Sequence, residues 1–588
     1  MKNLYTLKKY FARYKKKLFF GFLFIILSNI GTVYVPLLMK DSIDALQKNA
    51  TTQLLLQYGL MIVGASLFAG IFRFMIRQTI IVVSREIEFD LRGDFWKHIQ
   101  RLPLRYFQNT STGIIMAHAT NDINAVRMFI GPAVMYSIDT SIRLIMVLVL
   151  MLSLNTSLTI LALLPLPLLS LLVYKVGKLI HSKFTKIQEK FAQLTTIVQE
   201  NFSGIRVIKS YVREEGEIKR YAENSMDYLK KNMNLVRTQA LIMPILFLIT
   251  GLSIIIVIWL GGTKVINGEL TLGEITAFIV YLGILIWPMI AFGWVINIIQ
   301  QAEASMKRLN KIFSEPYEIT ESEKTNYKIK EIKGNIEFKN VSFRYNDHSP
   351  YILKNINLKV PKGSTIALMG YTGSGKTSFI NLIPRLYDCT EGEVLIDGAN
   401  VKDLPIDILR TNIGLVQQES FLFSDTVLNN ISYGKREIDP SQVYKVAGIS
   451  QFDKDVQEFP QKYETIVGER GITFSGGQKQ RACLARALAI DPKILILDDS
   501  FSAVDTNTEE EILKSLKNFM RDPANGTSRT SIIISHRIST VKDADKIIVL
   551  SQGQIAEEGT HEQLVAVGGI YADLHYKQLL EQELEELN

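Results

Sequence analysis

The sequence predicts a multidomain chain: an all-α domain of six membrane-spanning helices, followed by an α/β domain with a glycine-rich loop. Three observations carry this. Long apolar runs crowd roughly the first half of the 588 residues and are rare afterwards, although 47% of the whole chain is hydrophobic. The second half alternates short apolar strands with helix-forming stretches, the pattern of a sheet covered by helices. One of those strands, STIALM, runs straight into GYTGSGKT, Gly370 to Thr377, which matches G-x-x-x-x-G-K-[ST] and makes the second domain a P-loop domain.

A helix needs about 20 apolar residues to cross a bilayer. Candidate spans are 18–39, 57–82, 129–153, 157–180, 240–262 and 272–299. An even number leaves both chain ends on one side. The start, MKNLYTLKKYFARYKKK, holds seven Lys/Arg and no acid, which puts that side in the cytoplasm. The run from Leu18 to Met39 is too long for a signal-peptide core and lacks a small-residue cleavage site, so it reads as a retained helix. Connections after spans one, three and five are short. Those after spans two and four are long, charged and helix-forming, so the helices should extend well beyond the membrane. The membrane domain takes 1–310, a charged linker 311–334, and the P-loop domain 335–588.

The formal charge of +8 comes from 66 Lys/Arg against 58 Asp/Glu. The basic residues cluster beside apolar runs, which points to a membrane face and not to nucleic acid. Two cysteines, Cys389 and Cys483, exclude a disulfide framework and a zinc site. Within or beside the spans sit Arg73, Arg77, Asp139 and Arg143. Charge at membrane depth is costly and faces a cavity or a partner. Two readings stay open: a charged wall of a substrate cavity, or side chains that snorkel to an interface. Phe72, Phe74, Trp287 and Trp294 are open in the same way, between an apolar cavity and ordinary packing.

The P-loop residue types follow from phosphate chemistry. Gly370, Thr372, Gly373, Ser374 and Gly375 let backbone N–H groups close around phosphates, and Lys376 reaches the β/γ oxygens. The Thr377 hydroxyl ligates Mg²⁺, and Ser378 follows it into the helix. A second apolar strand, KILILDDS, ends in Asp498 and Asp499; the first suits Mg²⁺, and the second is placed to polarise a water.

Between these lies TFSGGQKQR, Thr473 to Arg481, and here the chain resembles the ABC transporters, specifically exporters with one membrane and one motor domain per chain. FSGGQ resembles the family signature LSGGQ. Other features fall in the family's order along nearly the whole chain. By that resemblance Tyr345 stacks on adenine, and Gln418 contacts Mg²⁺ and senses the membrane domain. VGERG, Val467 to Gly471, would meet the cytoplasmic helix ends; SAVD, Ser502 to Asp505, would be the D-loop; His536 would be the switch histidine. The connections near 110–125 and 204–211 would carry motor movement to the spans.

The resemblance also implies that one chain is incomplete. Each ATP would sit between the P-loop of one motor and the signature of another, where Ser475, Gly476, Gly477 and Gln478 at a helix N-terminus make an anion site. With one P-loop and no internal repeat, the chain needs a second ABC half-transporter. One departure bears on which. Family members that hydrolyse ATP well usually have Glu after the strand-end aspartate, and here Asp499 stands there. Its carboxylate falls short by about 1–1.5 Å, a displacement that can cost on the order of 100-fold in rate. The favoured expectation is the degenerate-site half of a heterodimer; a homodimer using Asp499 and His536 is the other.

The expected function is ATP-driven export of amphipathic drugs or lipids across the cytoplasmic membrane, with ATP and Mg²⁺ as cofactors, membrane lipids as neighbours and no nucleic acid partner. An ATP-gated, channel-like protein and a siderophore-type importer on the exporter fold stay open as alternatives. The acidic end, LLEQELEELN, reads as a partner helix or as a solvated helix end.

Overall fold

Each of the short connections ends in a residue that caps the next helix. Thr51 accepts from the Leu54 N–H, Asn155 from the Leu158 N–H, and Thr271 from the Glu274 N–H in a capping box. Such caps contribute about 1 kcal/mol each and fix where a helix starts. Asp44 adds to the last one, accepting from the Gly273 N–H at 2.9 Å and the Thr271 hydroxyl at 2.8 Å. The computed structural model describes residues 2–48, 50–435, 437–468, 471, 474–522 and 527–586. They form two units, Met1–Gln100 with Thr112–Glu315, and Arg101–Ser111 with Pro316–Asn588.

In the first unit, five helices among the described residues are long and apolar enough to cross a membrane: Lys15–Gln47, Thr52–Ile99, Thr112–Leu154, Glu214–Ile266 and Leu272–Phe313. All run well past the expected spans, as the charged, helix-forming connections required. The fourth expected span, 157–180, falls on two helices, Thr156–Leu163 and Leu166–Ser203. The break comes at Pro165, with another proline in the first turn after it, and proline has no N–H for the preceding turn. Several side chains of that span lie outside the described residues, and among the described residues five helices, not the expected six, meet the length and apolarity of a crossing helix.

Two polar arrangements join the helices of this unit. At the N-terminus, Lys9 and Tyr10 bind Asp94, Arg13 and Tyr14 bind Asp90, and Lys17 binds Glu86. The partners step by four residues on both helices, so each turn meets a turn. Deeper in, Asp139 pairs with Arg143 at 2.9 Å, and the fully buried Asn29 donates to Asp139 at 2.8 Å while accepting from Arg143 at 2.9 Å. Two of the four charges flagged in the sequence thus satisfy each other; Arg73 and Arg77 are exposed on their own helix. Phe72 packs on Phe68 and Phe24, and Trp294 meets Tyr136 edge-on; Trp294, Phe74 and Trp287 are all exposed.

The second unit is built on a six-stranded sheet. Its strand order is Gln554–Gly559, Lys546–Ser551, Thr365–Met369, Thr530–Ile534, Ile494–Asp498, Ile413–Val416. The inner strands are parallel and buried, with aliphatic runs that suit a sheet covered on both faces. A four-stranded sheet including Ile336–Phe343 and Leu353–Val360 lies in the same unit. The register matters for the site: Ile534 pairs with Leu368 on one side and with Asp498 on the other. Three strand ends, at 369, 534 and 498, therefore open onto one edge.

The long connection after the second span is divided between the two units. The part of that connection that groups with the second unit is Arg101–Ser111, carrying the short helix Leu104–Asn109; from Thr112 onward the chain belongs to the first unit. Pro103 sits at the cap of that short helix in an extended conformation, which ends the preceding helix and turns the chain. The other connection forms the short helix Ile205–Ser210 within the first unit.

Candidate active site

The strand Thr365–Met369 delivers the glycine-rich loop. Gly370 has φ +141°, and a Cβ there would stand 2.2 Å from the Leu550 carbonyl oxygen, so only glycine fits. Gly375, at φ +102°, begins the helix Lys376–Leu382. Within this turn the Lys376 ammonium donates to the Gly370 and Tyr371 carbonyls at 2.8 and 3.0 Å. Burial holds its pKa below the usual lysine range, opposed by the nearby Asp498 and Asp499. Ser374 is buried and its hydroxyl has no partner, the mark of a cradle built for an oxygen-rich ligand. Thr372 and Gly373 lie exposed on the loop.

Asp498 is buried at the end of its strand and accepts from the Thr377 hydroxyl at 3.0 Å. Burial pushes its carboxyl above the ordinary aspartate range; the Thr377 bond opposes this and the neighbouring Asp499 adds to it. The fields of Lys376 and His536 reach the same carboxyl. The donor set, one carboxylate and one hydroxyl beneath a phosphate loop, fits Mg²⁺. Gln418 lies exposed on the loop after Ile413–Val416.

Asp499 adopts φ +47°, a left-handed conformation in which Asp and Asn are several-fold enriched among non-glycine residues. Its N–H donates to the Ile534 carbonyl at 3.0 Å, and its own carbonyl accepts from Ser502 at 3.2 Å. His536 follows the adjacent strand end, and the next residue, Arg537, binds the buried Glu509.

Tyr345 and Ser378, both expected at the nucleotide, are joined to each other, phenol to hydroxyl at 2.9 Å. The Tyr345 ring is set edge-on against Phe343 and Tyr387, and its carbonyl accepts from Arg105 at 3.0 Å. At the signature, Ser475 caps the helix Gly476–Ala489 in a capping box with Gln478. A Cβ on Gly476 would meet the Ala503 side chain at 3.1 Å, and one on Gly477 the Ala503 carbonyl at 2.8 Å. The glycine pair thus lets the helix start press against Ser502–Asp505. The segment VGERG is described only at Val467, Gly468 and Gly471, and its expected role lies outside the described residues.

Sequence reasoning passed over several residues that hold these parts together. Gln480 accepts from the Ala503 N–H at 3.0 Å and donates to Ser502 at 2.9 Å, locking the signature helix to the next loop. Its place two residues after the signature was a usable signal. Arg105, Glu509 and Gln578 carry no local pattern.

Residues 18–289 match the family model for the ABC transporter transmembrane region, and 353–502 match the ABC transporter model. This chain belongs to the ABC transporter family. It is similar to the probable multidrug resistance ABC transporter ATP-binding/permease protein YheI of Bacillus subtilis, 36% identical over 585 residues, covering 97% of this chain and 96% of that protein. It is also similar to an ATP-dependent lipid A-core flippase of Syntrophus aciditrophicus, 33% identical over 562 residues, covering 94% and 91%. The solved structure of a bacterial Atm1-family ABC exporter with ATP bound matches with a TM-score of 0.77 at 27% identity, covering 96% of this chain and 99% of that one. The transporter is thus a membrane protein that binds and hydrolyses ATP.

Proposed function

We propose that this transporter is the degenerate-site half of a heterodimeric exporter that moves amphipathic compounds out across the cytoplasmic membrane, its motor and both termini on the cytoplasmic side. The observation that carries the site reading is the Thr377–Asp498 pair at one end of the sheet, beside a phosphate loop with an unpartnered buried Ser374. Tyr345 contacts the base, the Gly370–Ser378 turn holds the phosphates, and Lys376 leaves its loop carbonyls for the β/γ oxygens. Thr377, Asp498 and Gln418 hold Mg²⁺, which when bound neutralises phosphate charge. Asp499 orients the attacking water and His536 steadies the γ-phosphate. Ser475 and the amides of Gly476 and Gly477, at the free N-terminus of the helix Gly476–Ala489, close the partner's site, with Gln478 holding Ser475 in place through the capping box. The short Asp499 side chain makes this chain's own turnover slow, and the partner's site supplies most of the hydrolysis.

ATP closes the two motors, the cavity turns outward, and loss of the γ-phosphate resets it, a two-state switch with that phosphate as the differential contact. Inverted membrane vesicles test the transport reading. They should concentrate an amphipathic fluorescent dye when Mg²⁺ and ATP are added, and Lys376→Ala should weaken this. ATP-dependent ion conductance with no dye accumulation would favour a gated channel, and dye loss from loaded inverted vesicles would favour import.

A further inference from the structure

The helix Ile570–Glu586 touches two of the loops that form the hydrolysis site, and its base is part of the folded core. Tyr571 is fully buried, its hydroxyl 2.7 Å from His561 Nδ1, and its N–H donates to Glu557 at 3.0 Å. From this anchor, Asp573 accepts from the Tyr371 hydroxyl of the phosphate loop at 2.9 Å, while Lys577 holds the same carboxylate oxygen at 2.8 Å. One turn on, the Gln578 amide accepts from the Ile538 N–H at 2.8 Å and donates to the His536 carbonyl. A single side chain thereby satisfies the backbone on both sides of Arg537, as a neighbouring strand would. Five residues along an α-helix advance about 7.5 Å. That is enough to bridge loops leaving adjacent strands, which lie about 4.8 Å apart.

We propose that Gln578 and Asp573 are positioning residues for ATP hydrolysis, the C-terminal helix setting the distance between the phosphate loop and the switch histidine. Gln578 acts through the His536 backbone and Asp573 through Tyr371. The proposal rests on the reading of His536 as the switch histidine. A shift of about 1 Å in such a group can cost on the order of 100-fold in rate without loosening substrate binding.

The test uses the full transporter complex in membranes, with azido-ATP carrying a labelled γ-phosphate crosslinked to this chain, so that only this chain's site is read. The rate of γ-phosphate loss, the concentration for half-maximal labelling and the melting temperature are measured for Gln578→Ala, Gln578→Glu, Asp573→Asn and His536→Ala. Gln578→Ala should slow γ-phosphate loss by about 10-fold or more, with half-labelling and melting little changed. Gln578→Glu should be equally slow at neutral pH, where a carboxylate cannot donate to the His536 carbonyl. It should recover as acidification restores a donor, a pH profile that a structural role would not produce. Asp573→Asn, which loses the charge-assisted bond from the Tyr371 hydroxyl, should slow γ-phosphate loss in the same direction, with half-labelling little changed. Unchanged γ-phosphate loss in Gln578→Ala overturns the proposal, and His536→Ala then separates the layers. If that variant is slow, the switch-histidine reading survives; if it is also unchanged, that reading falls as well.

Discussion

Thr377 donates to Asp498 at 3.0 Å, a hydroxyl from the phosphate-loop helix bonded to a carboxylate from a strand two places away in the sheet. The register that places Ile534 between Leu368 and Asp498 makes this contact possible. Because Asp498 is buried, with its pKa raised chiefly by that burial, its charge opposes folding of the nucleotide-free domain. Asp498→Asn should raise the nucleotide-free melting temperature, at about 2–4 °C per kcal/mol for a domain of this size. The same variant should lose the further rise that Mg²⁺ with ATP gives the native chain. The pH sign follows. An acid whose pKa is higher folded than unfolded adds stability as pH falls through the folded value, and the gain is complete below the unfolded range near ~3.9. The advantage of Asp498→Asn over the native chain should therefore shrink on acidification, as differential scanning at several pH values will show.

Asp499→Glu should speed γ-phosphate loss at this chain's site by about 100-fold. It should also cost about 1–2 kcal/mol, since the backbone at φ +47° suits Asp better than Glu. Single-site turnover and thermal melting together check both halves.

The glycines of the signature predict a rescue. Gly476→Ala puts a Cβ 3.1 Å from the Ala503 side chain and should cut ATP turnover by the complex about 10-fold or more, through the displacement of groups set to within about 1 Å. Adding Ala503→Gly should restore most of it. Gly477→Ala meets the Ala503 backbone carbonyl and should not be rescued by that second change. Steady-state ATPase assays of the two single glycine variants and of each combined with Ala503→Gly distinguish the cases.

In the membrane unit, Asp139→Leu leaves Arg143 beside Asn29 without its counter-charge, and leaving such a half-buried charged group unpaired costs about 1–3 kcal/mol. The double variant Asp139→Leu with Arg143→Leu should recover most of the loss in melting temperature in detergent. Failure to recover would mean that the charges themselves, and not their pairing, sustain the fold.

What could be read from the sequence followed the range of the signal. The phosphate loop, the Asp498 strand and the signature are runs of adjacent residues whose spacing is fixed by local backbone chemistry, so they were visible in one dimension. The caps Thr51, Asn155 and Thr271 are equally local, yet the short connections are located by hydropathy alone and the caps come from the structure. Hydropathy located the membrane helices but not their ends, because helices such as Glu214–Ile266 continue without a break from polar into apolar sequence. The grouping of Arg101–Ser111 with the second unit, the left-handed Asp499 and the Gln578 bonds all depend on tertiary neighbours. No periodicity of their own announces them.

The subunit composition of the complex tests the central claim most directly. Affinity purification from native membranes followed by intact-mass analysis should yield this 66.6 kDa chain with one copy of a different half-transporter, whose sequence carries Glu where this chain has Asp499. A complex containing two copies of this chain and nothing else would contradict the heterodimer account and require Asp499 itself to support hydrolysis.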